Sequence, residues 1–139
     1  MILLDTNVVS ELMLSRPNPS VLGWLNGAET QELYVSSVSV AEIYFGLELL
    51  PTGARRDDLL DRFGRLMATA FDQRVLDFDG DAARVYGRIA ARRRNQGRPL
   101  SMADGQIAAT ARSHSLVLAT RNVRDFEGCD VDILNPFDR

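Results

Sequence analysis

Four acidic residues stand where the chain could bring them together to do chemistry. Asp5 directly follows a short apolar run, and Glu42 lies about seven residues beyond a second such run. Asp104 lies in the first turn of a predicted helix, and Asp125 lies in the segment after a later apolar run. Two carboxylates about 4 Å apart repel by about 4 kcal/mol at an effective dielectric constant near 20. Four converging carboxylates would therefore protonate, splay apart or bind a cation.

The metal that such a cluster would bind follows from its ligand atoms. Carboxylate oxygens, with no Cys or His beside them in the sequence, select Mg²⁺ or Mn²⁺ over zinc. These ions activate a water molecule and stabilise the in-line transition state of phosphodiester hydrolysis. The four residues therefore indicate nuclease chemistry, provided that the fold brings them together.

Each acidic residue also has an ordinary structural explanation. Ser39-x-x-Glu42 and Ser101-x-x-Asp104 both fit a capping box, in which the acid satisfies amide groups at the start of a helix. Asp5 fits an N-cap of the helix that follows it, and Asp125 fits an Asx-turn in a loop. Spacing alone leaves the catalytic and the structural interpretations open.

The elements that would position these residues alternate along the chain. Short apolar runs predict strands at Ile2–Leu4, Leu33–Val35, Val75–Leu76, Leu116–Ala119 and Val131–Leu134. Apolar residues at helical spacing predict helices at Val8–Leu14, Pro19–Asn26, Val38–Leu50, Arg55–Phe71, Asp79–Gln96 and Ser101–Ser113. This alternation is typical of an α/β fold with a mostly parallel sheet covered on both faces. Ligands bind such sheets beyond the carboxyl ends of the strands, where the four acids would lie.

The composition fits one globular domain spanning residues 1–139, with 45% hydrophobic and 25% charged residues. The first apolar run reaches Asp5 at once, so we expect no signal peptide, no membrane span and a soluble cytoplasmic protein. A net charge of −3 argues against indiscriminate binding to nucleic acid. All 16 basic residues are arginine, which excludes chemistry that needs a lysine amine. A single Cys excludes an internal disulfide and a Cys-rich zinc site. The chain has no Gly-x-Ser-x-Gly motif and His114 is its one His, which argues against a serine-hydrolase triad.

Two groups of arginines could meet a phosphate backbone. Arg121 and Arg124 flank the proposed site and would orient a phosphate group. Arg92–Arg94 and Arg98 form the densest basic cluster, for which a solvated helix end favoured by the helix dipole is the first interpretation. Contact with RNA phosphate is the alternative for this second group.

Four short motifs contain the four acidic residues in chain order: Leu4-Asp5-Thr6-Asn7, Ser39-Val40-Ala41-Glu42, Pro99-Leu100-Ser101-Met102-Ala103-Asp104 and Ala119-Thr120-Arg121-Asn122-x-x-Asp125-Phe126. They resemble the motifs of PIN-domain ribonucleases, and in particular the FitB-like branch of the VapC toxin family. Arg74-Val75-Leu76-x-Phe78-Asp79 and Asn135-Pro136 are also similar to that branch, so the resemblance covers nearly the whole chain.

The resemblance implies a three-layer α/β/α PIN-like fold with a central, mostly parallel sheet of about five strands. It also implies an Mg²⁺-dependent endoribonuclease, with Mn²⁺ as the other metal. By position, Asp5 and Asp104 would be the main metal ligands. Glu42 would be a ligand directly or through water, and Asp125 would bind a second metal or orient the water.

The same resemblance implies supporting residues and partners. Thr120 matches a family position whose hydroxyl supports the acidic cluster, and Asn122 and Thr6 are further matches. The family's toxins are inhibited by a co-expressed antitoxin, which here would be VapB-like or FitA-like. They form homodimers and larger toxin–antitoxin assemblies, and operator DNA would be reached only through the antitoxin. Gly105 stands where the family more often has alanine, and we expect it to loosen the helix start beside Asp104.

Other functional classes fit the residues less well. A haloacid-dehalogenase-like phosphatase also has an Asp after its first strand, but it needs Asp-x-Asp, and the third position here is Asn7. That class and receiver domains both use a lysine, which this chain lacks. A catalytically weak PIN protein that only binds its antitoxin or nucleic acid remains the non-enzymatic alternative, although all four acids are present.

Overall fold

A computed structural model describes residues 1–138, and its strands are short and close together in space. The strands are β1 (Ile2–Leu4), β2 (Leu33–Ser36), β3 (Val75–Leu76), β4 (Val117–Ala119) and β5 (Ile133–Leu134). Within the described residues they form one five-stranded sheet in the order β3-β2-β1-β4-β5. Every pairing is parallel, with Leu3 opposite Tyr34 on one side and Leu118 on the other. The predicted parallel sheet is therefore confirmed, and β1 lies at its centre.

Helices connect the strands and cover the sheet. They are α1 (Thr6–Glu11), α2 (Pro19–Gly27), α3 (Ser37–Glu48), α4 (Ala54–Thr69), α5 (Gly80–Asn95) and α6 (Met102–Ser113). Short 3₁₀ turns lie at Thr30–Glu32, Val123–Phe126 and Pro136–Asp138. No helix within residues 1–138 is long and apolar enough to cross a lipid bilayer.

Side chains that alternate along the strands divide the core into two halves. Leu3 and Leu118 point to one face, where they join Ile89 of α5 and Ile107 of α6 in a buried cluster. Leu4, the next residue of β1, belongs to the cluster on the opposite face. Because successive strand residues point to opposite sides of a sheet, one central strand anchors both cores. The result is the three-layer α/β/α arrangement that the sequence predicts.

The second cluster also contains strand residues of β2 and β4 and side chains from the helices on that face. They include Val8 and Val9 of α1, Val21 of α2, Ile43 of α3 and Phe63 of α4. Each of these side chains is at most 7% exposed. The helices therefore bury one stripe each against the sheet, as amphipathic helices of an α/β domain do.

The first helix differs from its predicted bounds at both ends. The apolar pattern predicts Val8–Leu14, but α1 spans Thr6–Glu11 because the Asp5 carboxylate accepts a hydrogen bond from the Thr6 amide and caps the helix there. Thr6 and Asn7 are polar, so periodicity alone could not include them. This early start turns Asp5 toward the carboxyl edge of the sheet.

Candidate active site

Asp5 is a buried carboxylate at the centre of the carboxyl edge of the sheet. It follows β1 directly and is only 3% exposed. Its Oδ1 accepts the Thr6 amide at 2.8 Å. Its Oδ2 accepts the Thr120 hydroxyl at 2.7 Å and the Asn7 side-chain amide at 3.3 Å. The N-cap interpretation is therefore correct, and it does not compete with a role in the site because the second oxygen faces the neighbouring strand.

The segment after β4 is tied to Asp5 through one hydroxyl. Thr120 is fully buried, donates to Asp5 and accepts the Asn122 amide at 3.0 Å. The Asn7 side-chain oxygen accepts the Arg121 amide at 3.2 Å. Asn7 thus links Asp5, at the end of β1, to the segment after β4. The sequence analysis does not include Asn7 among the site residues, although its position two residues after Asp5 could have indicated a place in the site.

Glu42 reaches the same edge from the second turn of α3. The Thr6 hydroxyl donates to Glu42 Oε1 at 2.7 Å and lies 2.9 Å from the Ser39 hydroxyl. The capping-box interpretation of Glu42 is wrong, because Ser36 is the N-cap of α3 and accepts the Ser39 amide. Glu42 therefore has no capping task, and Ser39 supports the network instead.

Asp104 lies in the first turn of α6, where the Ser101 hydroxyl accepts its backbone amide at 3.1 Å. The helix runs unbroken through Gly105, so the expected loosening is wrong. A Cβ at residue 105 would lie 2.6 Å from Cε2 of Tyr86 on α5. Glycine here permits close packing of two helices, and that packing fixes the turn that carries Asp104.

One cleft of about 460 Å³ collects three of the four predicted acids. Its lining residues are Asp5, Thr6, Asn7, Ser10, Glu11, Leu14, Glu42, Asp104, Arg121 and Asn122. Asp125 is exposed in the 3₁₀ turn at its margin and is not part of the lining. The three predicted acids come from three different parts of the fold, as convergence at the sheet edge requires, and Glu11 of α1 is a fourth acid of the lining that the sequence analysis does not single out.

The two arginines predicted to flank the site differ in placement. Arg121 lines the cleft, and its guanidinium carbon lies 4.3 Å from the centre of the Phe137 ring. This cation–π contact holds the charge at the cleft wall. Arg124 is exposed in the same 3₁₀ turn as Asp125 and does not line the cleft.

The electrostatics of the cleft disfavour three ionised carboxylates without a counter-charge. Burial raises the pKa of Asp5 from 3.8 to about 6, the Thr120 and Thr6 hydrogen bonds oppose this shift, and the charges of Asp104 and Glu42 add to it. Burial also raises the pKa of Asp104, with further contributions from the charges of Asp125 and Glu42. Asp125 is thus electrostatically part of the cluster although it lies outside the cleft.

A divalent cation fits this donor set in its chemistry. Every acidic donor is an oxygen, which hard cations such as Mg²⁺ and Mn²⁺ prefer. A cation would offset both the burial and the smaller repulsion that raise the pKa values of Asp5 and Asp104. No three Asp, Glu, His or Cys side chains within residues 1–138 lie close enough to hold one ion as they stand. Glu42 is exposed, so its side chain has room to turn inward.

The basic cluster at the end of α5 is split by the fold. Arg92 and Arg94 are exposed, as a solvated helix end predicts, but Arg93 is only 4% exposed. Its guanidinium donates to the backbone carbonyls of Asp125 and Glu127. The solvated interpretation is wrong for Arg93, because its partners come from a segment more than 30 residues later that periodicity within one helix cannot reveal.

Comparison with known proteins places this geometry in a family. Residues 2–130 match the model of the PIN domain. The VapC ribonuclease Y4jK of Sinorhizobium fredii is 42% identical over 99% of both chains, and the toxin FitB of Neisseria gonorrhoeae is 39% identical over the same shares. The solved structure of FitAB bound to the IR36 DNA fragment superposes with a TM-score of 0.92 at 39% identity, covering 99% of this chain and 96% of that one.

Proposed function

The chain belongs to the PIN-domain family, within its VapC group, and from that premise we propose that it is a metal-dependent endoribonuclease and the toxin of a type II toxin–antitoxin pair. The observation that carries this proposal is the convergence of Asp5, Glu42 and Asp104 in one cleft at the carboxyl edge of the sheet. The names of its relatives, a VapC ribonuclease and a toxin, support the choice of RNA. The proposal takes residues 1–139 as one PIN-like nuclease domain.

Asp5 and Asp104 are the proposed main ligands of Mg²⁺, with Mn²⁺ as a substitute. Glu42 completes the set directly or through water, and Asp125 binds a second ion or orients the attacking water. When bound, such an ion supplies an activated water and neutralises charge on the phosphodiester. The raised pKa values of Asp5 and Asp104 support this assignment, because burial and the neighbouring acids disfavour the ionised carboxylates and a bound cation would stabilise them.

The supporting residues hold the acids in place before RNA arrives. The Thr120 hydroxyl fixes the orientation of Asp5, and the Thr6 hydroxyl holds Glu42 toward the cleft. Asn122 and Arg121 also line the cleft, which a phosphate would enter. Arg121 is the proposed phosphate contact, and Arg124 is a weaker candidate because it lies outside the lining.

Purified protein free of antitoxin should cleave RNA with Mg²⁺ or Mn²⁺ and should lose that activity in EDTA. Asp5→Asn should abolish cleavage, because it removes a proposed ligand without changing the size of the side chain. Asp61→Asn is the matched control, since Asp61 is an exposed carboxylate on α4 that pairs only with Arg65 at 2.9 Å among the described ion pairs. Cleavage that survives EDTA, or an Asp5→Asn variant with the activity of Asp61→Asn, would contradict the proposal and favour a protein that only binds.

A second cleft beside the first supports an antitoxin partner. It has a volume of about 520 Å³ and lies between α1, α3 and α4. Its apolar wall includes Met13, Ile43 and Leu47, and it shares Thr6 and Glu42 with the acidic cleft. An antitoxin segment lying in this second cleft would therefore reach the proposed metal ligands. Operator DNA would be bound through the antitoxin, in line with the FitAB structure on DNA.

Gly46 offers a test of this docking position. It lies on α3 in the wall of the second cleft, and a Cβ there would meet nothing within 4 Å. Gly46→Trp should weaken antitoxin binding by about tenfold or more, because the indole would occupy space in the cleft proposed for the antitoxin segment. A tenfold loss of affinity corresponds to about 1.4 kcal/mol of binding free energy. RNA cleavage should persist. Gly46→Ala is the control and should bind normally. Unchanged binding by the Trp variant in calorimetry would exclude this cleft.

The proposal also includes a place and an assembly. We propose that the protein acts in the cytoplasm, because its proposed substrate is cellular RNA and its proposed antitoxin is made in the same cell. A homodimer that joins a larger toxin–antitoxin assembly is the proposed oligomeric state, and exposed apolar residues on α3 support it.

A further inference from the structure

We propose that Arg93 is a positioning residue that fixes the Asp125 segment against the acidic cleft. This inference rests on the proposed function, since it concerns the fourth acid of the proposed metal site. It starts from a difference among the four acids. Asp5, Glu42 and Asp104 are carried by a strand end and two helices, whereas Asp125 lies in a short 3₁₀ turn, Val123–Phe126, that has little internal support.

The guanidinium of Arg93 contacts this segment at several backbone positions. Nη1 lies 2.9 Å from the carbonyl oxygen of Asp125 and 2.8 Å from that of Glu127. The same nitrogen lies 3.4 Å from the Sγ atom of Cys129, which is fully buried. Nη1 of Arg93 therefore contacts every second residue of the segment, namely Asp125, Glu127 and Cys129.

A second donor of Arg93 fixes the guanidinium itself. Its Nε donates at 2.8 Å to the carbonyl oxygen of Arg98. That carbonyl is in place because Gly97, just after α5 ends at Asn95, has a φ of +73° that lets the chain turn back. The Arg98 amide then bonds the Arg93 carbonyl. The orientation of the Arg93 guanidinium is thus fixed by the C-terminal end of α5, the helix that carries it.

Arg98 strengthens the same contact from outside. Its Nη2 donates to the Arg124 carbonyl at 3.0 Å and lies 3.6 Å from a Glu127 carboxylate oxygen. At the other end of the segment, the Asn122 amide is held by the Thr120 hydroxyl. Asp125 therefore lies between two fixed points, the Thr120 hydroxyl just after β4 and the Arg93 guanidinium on α5.

The burial of Arg93 indicates that this contact is specific. Arg93 is 4% exposed and forms no ion pair among the described residues, so its charge is compensated by backbone carbonyls. An unpaired buried charge is costly, and an Arg at a helix end could otherwise extend into solvent. Its charge also acts on Asp104, so one side chain affects two of the four acids.

The test compares Arg93→Met with Arg74→Met. Each substitution keeps an apolar stem and removes the guanidinium donors. Arg74 is the matched control, because its guanidinium also donates to backbone carbonyls, those of Leu33 and Ala70, and neither residue belongs to the Asp125 segment. Both variants should lose global stability. In metal-free Arg93→Met, the amides of Asp125, Glu127 and Cys129 should exchange about tenfold faster by a local opening that Arg74→Met does not show.

The metal readout is direct Mn²⁺ binding measured by calorimetry, without RNA. Arg93→Met should bind Mn²⁺ about tenfold more weakly than Arg74→Met, which is the size of effect that outer-shell partners have. Arg93→Lys, which keeps the charge and one donor group, should fall between them. If the Met variant does not fold, the Lys variant alone must weaken Mn²⁺ binding.

Two results would overturn the inference: unchanged amide exchange in the segment, or an Mn²⁺ affinity of Arg93→Met equal to that of Arg74→Met. Wild-type protein that binds Mn²⁺ but cleaves no RNA would instead contradict the proposed function, and the Arg93 comparison would still stand on exchange and binding.

Discussion

Asp5 combines two tasks that conflict energetically at the scale of one residue. As the cap of α1 it must lie at the end of β1, where it is almost fully buried. As a proposed metal ligand it must be ionised, and burial opposes ionisation. Three hydrogen bonds, from Thr6, Thr120 and Asn7, offset only part of that cost. The metal-free protein is therefore destabilised by the residue on which its proposed activity depends.

The raised pKa of Asp5 predicts a specific dependence of stability on pH without metal. The folded-state pKa of about 6 exceeds the ordinary 3.8, so the folded state holds the proton more tightly between these values. Its contribution is complete below about pH 4 and is lost as the pH rises through 6. The rise in the pKa of Asp5 from 3.8 to about 6 corresponds to a change of about 3 kcal/mol in the free energy of unfolding. Urea unfolding in EDTA measures this effect. Between pH 4 and pH 7 the free energy of unfolding of Asp5→Asn should rise relative to that of the wild type by about that amount.

Added Mg²⁺ supplies the control for this prediction. A ligand that binds only the folded state at about 100 times its dissociation constant stabilises by about 2.7 kcal/mol. At pH 7 it should stabilise the wild type and leave Asp5→Asn unchanged. A difference between the two proteins that is flat from pH 4 to 7 would show that burial does not perturb Asp5 in this way.

Residues of the site differed in how far the sequence revealed them. Asp5, Glu42 and Asp104 were predicted because strand ends and helix starts mark the edge of a parallel sheet, and the fold brings these three into one cleft. Arg93 could not be predicted in its buried position. An arginine run at a helix end carries the same sequence signal whether it is solvated or covered by a later segment, and only tertiary contacts distinguish the two.

At the scale of elements, the close approach of α5 and α6 positions Asp104. Tyr86 on α5 packs over Gly105, and its ring also meets Phe78 edge-on at 6.1 Å. Arg93 lies two turns further along α5 and holds the Asp125 segment. The same helix therefore supports two of the proposed ligands without contributing a ligand itself.

Gly105→Ala should destabilise the protein, because the new Cβ would overlap the Tyr86 ring. Overpacking of this kind costs about 1–3 kcal/mol, which the better helix propensity of alanine, about 1 kcal/mol, offsets in part. In a Tyr86→Leu background the same substitution should be neutral or stabilising. Urea unfolding of the two single variants and the double variant measures the coupling.

Gly87→Ala is the matched control for that cycle. It lies on α5 beside Tyr86, but a Cβ there meets nothing within 4 Å. We expect it to stabilise the protein in either background. If Gly105→Ala behaves like Gly87→Ala, the Tyr86 ring does not restrict the approach of the two helices.

The elements themselves were largely predictable, and the exceptions have a physical cause. Pro19 and Gly97 mark one end each of α2 and α5, and the apolar runs mark all five strands of the described sheet. The start of α1 was missed because its first residues are polar. The last predicted strand, Val131–Leu134, shortens to Ile133–Leu134, because only those two residues pair with β4.

At the scale of the whole molecule, α3 presents an apolar surface to solvent. Phe45 is 67% exposed and Leu49, one turn later, is 69% exposed. Exposed apolar side chains placed next to each other are typical of interaction sites. The second copy of the chain in the proposed homodimer is the occupant that we assign to this surface.

The double variant Phe45→Glu/Leu49→Glu should convert the proposed dimer to a folded monomer. Both side chains are already exposed, so the charges should cost little folding stability, whereas burying them between two copies would be unfavourable. Light scattering after size-exclusion chromatography measures the mass. Leu22→Glu, at another exposed apolar residue, should remain dimeric. A double variant that keeps the wild-type mass would exclude this surface as the interface.

The central position of β1 has a consequence for how the protein is made. Asp5 is synthesised long before its partners, because its amide bonds the Ala119 carbonyl and its carboxylate bonds the Thr120 hydroxyl, 115 residues later. Until β4 is synthesised, β1 lacks a neighbour on one side and Asp5 lacks the hydroxyl that orients its carboxylate. Contacts so distant along the chain form late in folding. Synthesis itself therefore delays the toxin: a nascent chain cannot cut RNA until β4 and Thr120 have been translated.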